Sequence, residues 1–251
     1  MKLLLGTTMI AGLMIAGAAQ AADMPLKAPP RGAPVYSDWT GFYVFGFGGY
    51  SWGKINTEDF DLSVVNLHNP KPKGGVFGFG AGYNWQYGAW VGGLEVDYGF
   101  SDQKENQTVN DSGGSGSCIA MGSGLSCGSH LSLNSKIDAL GSARARVGYL
   151  FTPNLLTYGT AGLAWGRAKV NISYPQEDCD SDFCTFSSKT NLFGWVAGGG
   201  MEYKLFDHVR VRGEYLHYDF GSTSYAFQPF GTINFKTTDD VARGALIWSF
   251  N

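Results

Sequence analysis

Charge is scarce in this chain: 18 Lys and Arg and 21 Asp and Glu are spread over 251 residues, for a net charge of −3. A protein that binds a nucleic-acid polyanion carries a basic patch or stripe, and nothing in this balance supplies one. Histidine and cysteine occur only four times each, and proline nine times. Beyond the first 21 residues no apolar run approaches the length of a transmembrane helix. If the remainder lies in a membrane, it does so as a closed sheet, because lipid cannot satisfy an open strand edge. What the chain has in abundance is glycine, 37 residues, and aromatics, with 17 Phe, 13 Tyr and 7 Trp. Much glycine, many rings and little charge favour β structure over helices.

The N-terminus reads as an export signal. Lys2 supplies a short positive region, Leu3 to Ala18 an apolar core, and Ala19-Gln20-Ala21 a small-x-small cleavage site. Residues 1–21 are thus expected to be a signal peptide, residues 22–38 a leader on the periplasmic side, and residues 39–251 the folded domain. The leader holds Pro25, Pro29, Pro30 and Pro34 and is too proline-rich for a strand.

The domain is organised around Gly74 to Ser101. Phe77, Phe79, Ala81, Tyr83 and Trp85 alternate with Val76, Gly78, Gly80, Gly82, Asn84 and Gln86. After Tyr87-Gly88-Ala89, Trp90, Leu94, Val96, Tyr98 and Phe100 alternate with Gly93, Glu95, Asp97, Gly99 and Ser101. Successive strand side chains point to opposite faces, so this is a hairpin with one bulky apolar face and one small or charged face. A soluble sandwich places its charge on the outer face and its bulk within. Charge paired with glycine, opposite aromatics, suits a barrel that shows its rings to lipid and its polar groups to a narrow lumen.

The same alternation recurs along the chain. A first strand, Trp39 to Trp52, sets Tyr43, Phe45 and Phe47 against Gly46 and Gly48. A fourth, Asn134 to Phe151, sets Asp138, Ser142, Arg144 and Arg146 against Ala139, Ala143, Ala145, Val147 and Tyr149. A fifth, Leu155 to Val170, has an ambiguous register. The sixth sets Phe193, Trp195, Ala197, Met201 and Tyr203 against Gly194, Gly198, Gly200 and Glu202. The seventh sets Val209, Val211 and Tyr215 against Arg210, Arg212 and Glu214, with alternation decaying after Leu216 at a bulge or at the membrane exit. The last sets Leu246, Trp248 and Phe250 against Arg243 and Ser249. This predicts an all-β fold, an eight-stranded antiparallel transmembrane barrel. Its connections alternate long and short, as in outer-membrane barrels with short periplasmic turns. All nine prolines fall in the leader, loops or turns of this parse, where no ladder donor is needed.

The expected lumen charges are Glu95, Asp97, Asp138, Arg144, Arg146, Glu202, Arg210, Arg212, Glu214 and Arg243. Eight strands enclose only enough room for their own side chains, so a salt-bridged plug is the leading reading of this set, ahead of a narrow pathway. No spacing singles out a catalytic carboxylate pair, and catalytic residues and metal sites are expected to be absent. Cys118, Cys127, Cys179 and Cys184 lie in external loops, where export favours oxidation and pairing within each loop is the simplest connectivity. His68 and His130 are loop histidines that could ligate haem iron, though no cofactor is expected. A Ser-His hydrolase would need both residues on the lipid face, and His217 is the one candidate. The glycines at 78, 80 and 82 lack the strand-turn-helix context of a nucleotide loop.

Four segments carry a resemblance: Trp39-Thr40-Gly41-Phe42-Tyr43-Val44, Gly80-Ala81-Gly82-Tyr83-Asn84-Trp85-Gln86, Ala143-Arg144-Ala145-Arg146-Val147-Gly148-Tyr149, and Arg212 to Gly221. Together they resemble the immunogenic outer-membrane β-barrel family of alphaproteobacteria, often labelled the porin family and similar in architecture to the small OmpA-like and OmpX-like barrels. The resemblance implies a surface protein of the cell outer membrane that contributes to envelope integrity and contact with a host or environmental ligand. It implies contact with outer-membrane lipid and lipopolysaccharide, and with the barrel-assembly machinery through the C-terminal strand. Haem binding, attributed to some relatives, or a narrow channel is the alternative reading. Such barrels usually end on an aromatic residue; this chain ends Trp248-Ser249-Phe250-Asn251.

Overall fold

The computed structural model describes residues 38–57, 69–110, 117–121, 124–128, 130–173, 185–227 and 231–250. The expected signal peptide lies outside the described residues, as do nearly all of the leader, His68, Cys179 and Cys184. Among the described residues ten strands form: β1 Gly41–Thr57, β2 Lys73–Tyr87, β3 Trp90–Asn110, β4 Ser117–Met121, β5 Gly124–Gly128, β6 His130–Thr152, β7 Leu155–Ser173, β8 Thr185–Lys204, β9 Val209–Phe227 and β10 Gly231–Ser249. Eight of them close in the order β1-β10-β9-β8-β7-β6-β3-β2, every neighbour antiparallel. β4 and β5 form a separate hairpin between β3 and β6.

Short turns join β2 to β3, β6 to β7 and β8 to β9 at one end of the barrel. At the first of them Gly88 takes φ 60°, which a two-residue hairpin loop needs and which glycine adopts without a Cβ penalty. The strands run further toward the long-loop end than the apolar alternation shows. β3 and β6 stay paired out to Asn110 opposite His130, and β7 and β8 out to Ser173 opposite Thr185. These extensions are rich in Ser, Thr, Asn and Lys, with Gln, Glu and scattered apolar residues among them. Backbone ladder bonds hold them, and the contrast between an oily and a polar face is gone.

Two belts of exposed rings circle the outside. Phe42, Trp85, Trp90, Tyr149, Tyr203 and Trp248 stand near the short turns, and Tyr50, Trp52, Phe77, Phe100, Phe193 and Trp195 nearer the long loops. Between them the surface is Val44, Leu94, Val96, Val147, Leu163, Met201 and Leu246. That is the profile of a lipid-facing band flanked by interfacial aromatics.

Two expectations are corrected. In β1 the aromatic face is the inner one: Tyr43, Phe45 and Phe47 are buried, whereas Phe42 is 66% exposed. The cause lies across the ladder, where Tyr43, Phe45 and Phe47 pair with Gly82, Gly80 and Gly78. Each missing side chain on β2 leaves the lumen space that one ring fills. In β6, Asp138 is an extra residue in the ladder, since Ile137 and Ala139 pair with the adjacent Ala168 and Arg167. This bulge reverses the parity of the strand, with Ser135 and Ile137 inward on one side of it and Ser142, Arg144 and Arg146 inward on the other. Asp138 is therefore not luminal. It faces outward, bound to Lys169 at 2.6 Å and Lys136 at 3.0 Å. A second bulge, with Gly221 at φ 61°, places Phe220 and Gly221 opposite the single Thr237, where the alternation of β9 decays.

Candidate functional site

Along its axis the lumen has three layers. Toward the long loops it is apolar, filled by Ile55, Val76, Ile137, Leu192, Phe220 and Phe235 among others. Toward the short turns it is closed by Trp39, Val91, Leu150, Leu156 and Tyr158. Between these lie the other nine lumen residues expected from the sequence, all of them buried.

Their ion pairs join neighbouring strands and also cross the lumen between strands that are not neighbours, as in Arg144–Glu214, Arg146–Glu202, Arg212–Glu95 and Arg243–Asp97. Arg144 on β6 reaches Asp97 and Glu95 on β3 at 2.9 and 3.0 Å and Glu214 on β9 at 3.0 Å. Arg243 on β10 holds Glu214 at 2.7 Å and Asp97 at 2.8 Å. Arg146 on β6 contacts Glu202 on β8 at 2.6 Å and Glu95 at 2.8 Å. Arg212 on β9 donates from Nε to Glu202 at 2.9 Å and from Nη1 to Glu95 at 3.2 Å. Arg210 lies 3.6 Å from Glu202. Five guanidiniums thus face four carboxylates. Their side chains are at most 3% exposed.

Residues that charge alternation does not reveal complete the layer. The inward rings of β1 form a floor for the arginines: Arg243 stands 4.2 Å from the centroid of Phe47 and Arg212 4.7 Å from that of Phe45. Arg210 stacks 4.8 Å over Trp39, whose Nε1 donates to the Pro153 carbonyl at 3.2 Å. The Tyr43 hydroxyl donates to Glu95 at 2.6 Å and the Tyr158 hydroxyl to Glu214 at 2.8 Å. Planar guanidiniums suit this role, because they stack on rings and bond carboxylates in plane at once. The readable signal for the floor was the glycine row on β2, one vacancy opposite each ring.

A smaller polar group sits within the apolar layer. Asp239 accepts from Ser51 Oγ at 2.7 Å and from Gln103 Nε2 at 2.9 Å, all three buried. Outside the barrel, His217 Nδ1 and the Tyr215 hydroxyl lie 2.7 and 2.6 Å from Asp240 Oδ1. The residues directly opposite His217 are Ala197 and Asp240, so no serine stands beside it across the ladder. Among the described residues no group of three or more His, Cys, Asp or Glu could hold a metal ion. Cys118 and Cys127 are register partners across β4 and β5.

Comparison with known proteins agrees with this architecture. The family model described as "Outer membrane protein beta-barrel domain" matches residues 9–241. The chain is 35% identical over 218 residues to the 31 kDa outer-membrane immunogenic protein of Brucella melitensis, covering 83% of each protein. It is 34% identical over 209 residues to the 22 kDa outer membrane protein of Rhizobium leguminosarum, covering 82% of this chain and 72% of that one. Among solved structures, Neisserial surface protein A aligns over 84% of this chain and 98% of its own, with a TM-score of 0.45 and 16% identity. A closed eight-stranded sheet with a lipid-facing band, joined to a family match over nearly the whole chain, shows that this protein belongs to the outer membrane protein β-barrel family and resides in the cell outer membrane.

Proposed function

We propose that the protein is a non-enzymatic wall element of the outer membrane, bracing the envelope through a solid barrel and presenting its long loops for surface contact. The observation that carries this reading is the packed lumen, a cross-linked charge layer between two apolar clusters. An eight-stranded barrel leaves no aqueous bore once its inward side chains meet. Each carboxylate of the charge layer is held by at least one guanidinium, which leaves none free as a general base. The immunogenic character named for the Brucella relatives accords with loops that face the exterior. The alternating residues Leu246, Trp248 and Phe250 are the proposed recognition edge for the assembly machinery.

The test is a strain lacking the protein. Increased sensitivity to detergents and large hydrophobic antibiotics is expected, with uptake of small sugars unchanged. Slower sugar uptake with normal detergent resistance would contradict the reading and favour a channel.

A further inference from the structure

Within the described strands, seven lysines point outward from the long-loop half of the barrel, and five of them share one register line. Lys73 on β2 pairs with Lys104 on β3, Lys104 with Lys136 on β6, Lys136 with Lys169 on β7, and Lys169 with Lys189 on β8. Lys54 on β1 and Lys236 on β10 continue the belt off this line. Arg167 adds a sixth outward cation within the five-strand span. Outward carboxylates in that span, among the described residues, are two: Asp102, 3.6 Å from Lys104, and Asp138, shared by Lys136 and Lys169.

This line is not where chance or stability alone would put lysines. Directly opposed like charges destabilise a pair of strands, and here the opposition is repeated across four consecutive ladders. Lysines that guard an exposed edge do not explain it, because a closed barrel has no edge. Snorkelling to water explains cations near the interface but does not require them in register.

Height supplies the missing reason. In β2, β3, β7 and β8 the lysine lies four residues beyond an outward ring, the pairs being Lys73 and Phe77, Lys104 and Phe100, Lys169 and Trp165, Lys189 and Phe193. Four residues advance about 13 Å along a strand, or about 9 Å along the membrane normal at a tilt of about 45°. The rings mark the edge of the hydrocarbon, so the ammonium row stands at the level of the outer-leaflet headgroups and faces sideways toward them.

We infer that the lysine row Lys73–Lys104–Lys136–Lys169–Lys189 is a binding site for the phosphate groups of a phosphorylated glycolipid of the outer leaflet. A polyanion shared between neighbouring ammoniums relieves the repulsion that the register imposes. Contact with outer-leaflet lipid follows from the membrane location; the site, its residues and its dependence on phosphate are what the register adds.

The experiment uses the folded full-length barrel in detergent, titrated with lipid A bearing both phosphates, with its dephosphorylated form and with inorganic pyrophosphate. Wild-type protein is expected to bind the phosphorylated lipid at least about tenfold more tightly than the dephosphorylated one. The triple variant Lys104→Gln, Lys136→Gln, Lys169→Gln is expected to lose that preference, and the corresponding triple Arg variant to keep it. Lys204→Gln, at the opposite end of the barrel, is the control and should bind as wild type. Heat-dependent gel mobility establishes that each variant is folded. Equal affinity of the wild type for both lipids, or an unchanged preference in the triple Gln variant, would overturn the site. Pyrophosphate binding as tight as that of the lipid would overturn the lipid as its occupant.

Discussion

Phe45 on β1 and Gly80 on β2 face each other across the ladder, and the Phe45 ring occupies the space where a side chain on Gly80 would stand. The same relationship joins Phe47 to Gly78 and Tyr43 to Gly82, so one strand of rings is keyed into one strand of vacancies. The rings in turn support Arg212 and Arg243, which makes the glycines of β2 a determinant of the charge layer.

Gly80→Ala is therefore expected to displace Phe45 and lower the stability of the barrel by about 1–3 kcal/mol, the usual cost of overpacking. Gly48→Ala, an outward position with nothing within 4 Å, serves as its counterpart and should be neutral or slightly stabilising. Urea midpoints of the barrel folded in lipid vesicles distinguish the two. Equal midpoints would show that the rings are not keyed to the glycines.

Within the charge layer, Arg243 and Glu214 lie 2.7 Å apart. Arg243→Met leaves Glu214 and Asp97 with less compensation and is expected to cost about 3–5 kcal/mol. Adding Glu214→Gln removes one of the stranded charges, so the double variant should be less destabilised than the sum of the singles by about 1–3 kcal/mol. Strict additivity in a double-mutant cycle would mean that the two groups do not act together.

Much of this was legible in the chain itself. Strand number, closure and nine of the ten lumen charges follow from period-2 alternation, because Arg and Glu confined to one parity of a strand have only the lumen to occupy. Asp138 was misread because parity is counted through the strand, and one bulged residue reverses it without leaving a glycine or proline to mark the place. The inward face of β1 was hidden for another reason. Rings suit lipid and lumen equally well, and what decides is the complementary vacancy at Gly78, Gly80 and Gly82 on a different strand. The lysine row is likewise invisible along the chain, since its members are 20 to 33 residues apart and meet only through register.

The loop cysteines give a covalent expectation. Cys118 and Cys127 are opposed in the β4–β5 hairpin, so exported protein should carry the disulfide 118–127, and by the same economy 179–184. Peptide mapping without reduction is expected to recover both linked pairs. Free thiols at Cys118 and Cys127, or a link from either to the other loop, would contradict the pairing.

The central claim is that the lumen is closed, and single-channel recording in a planar bilayer tests it most directly. Protein shown to be folded by heat-dependent gel mobility, with its loop disulfides intact, is expected to produce no conductance steps. Regular, reproducible steps from that same protein would mean that ions pass between the arginines and carboxylates of the middle layer, and the solid-barrel account would be wrong.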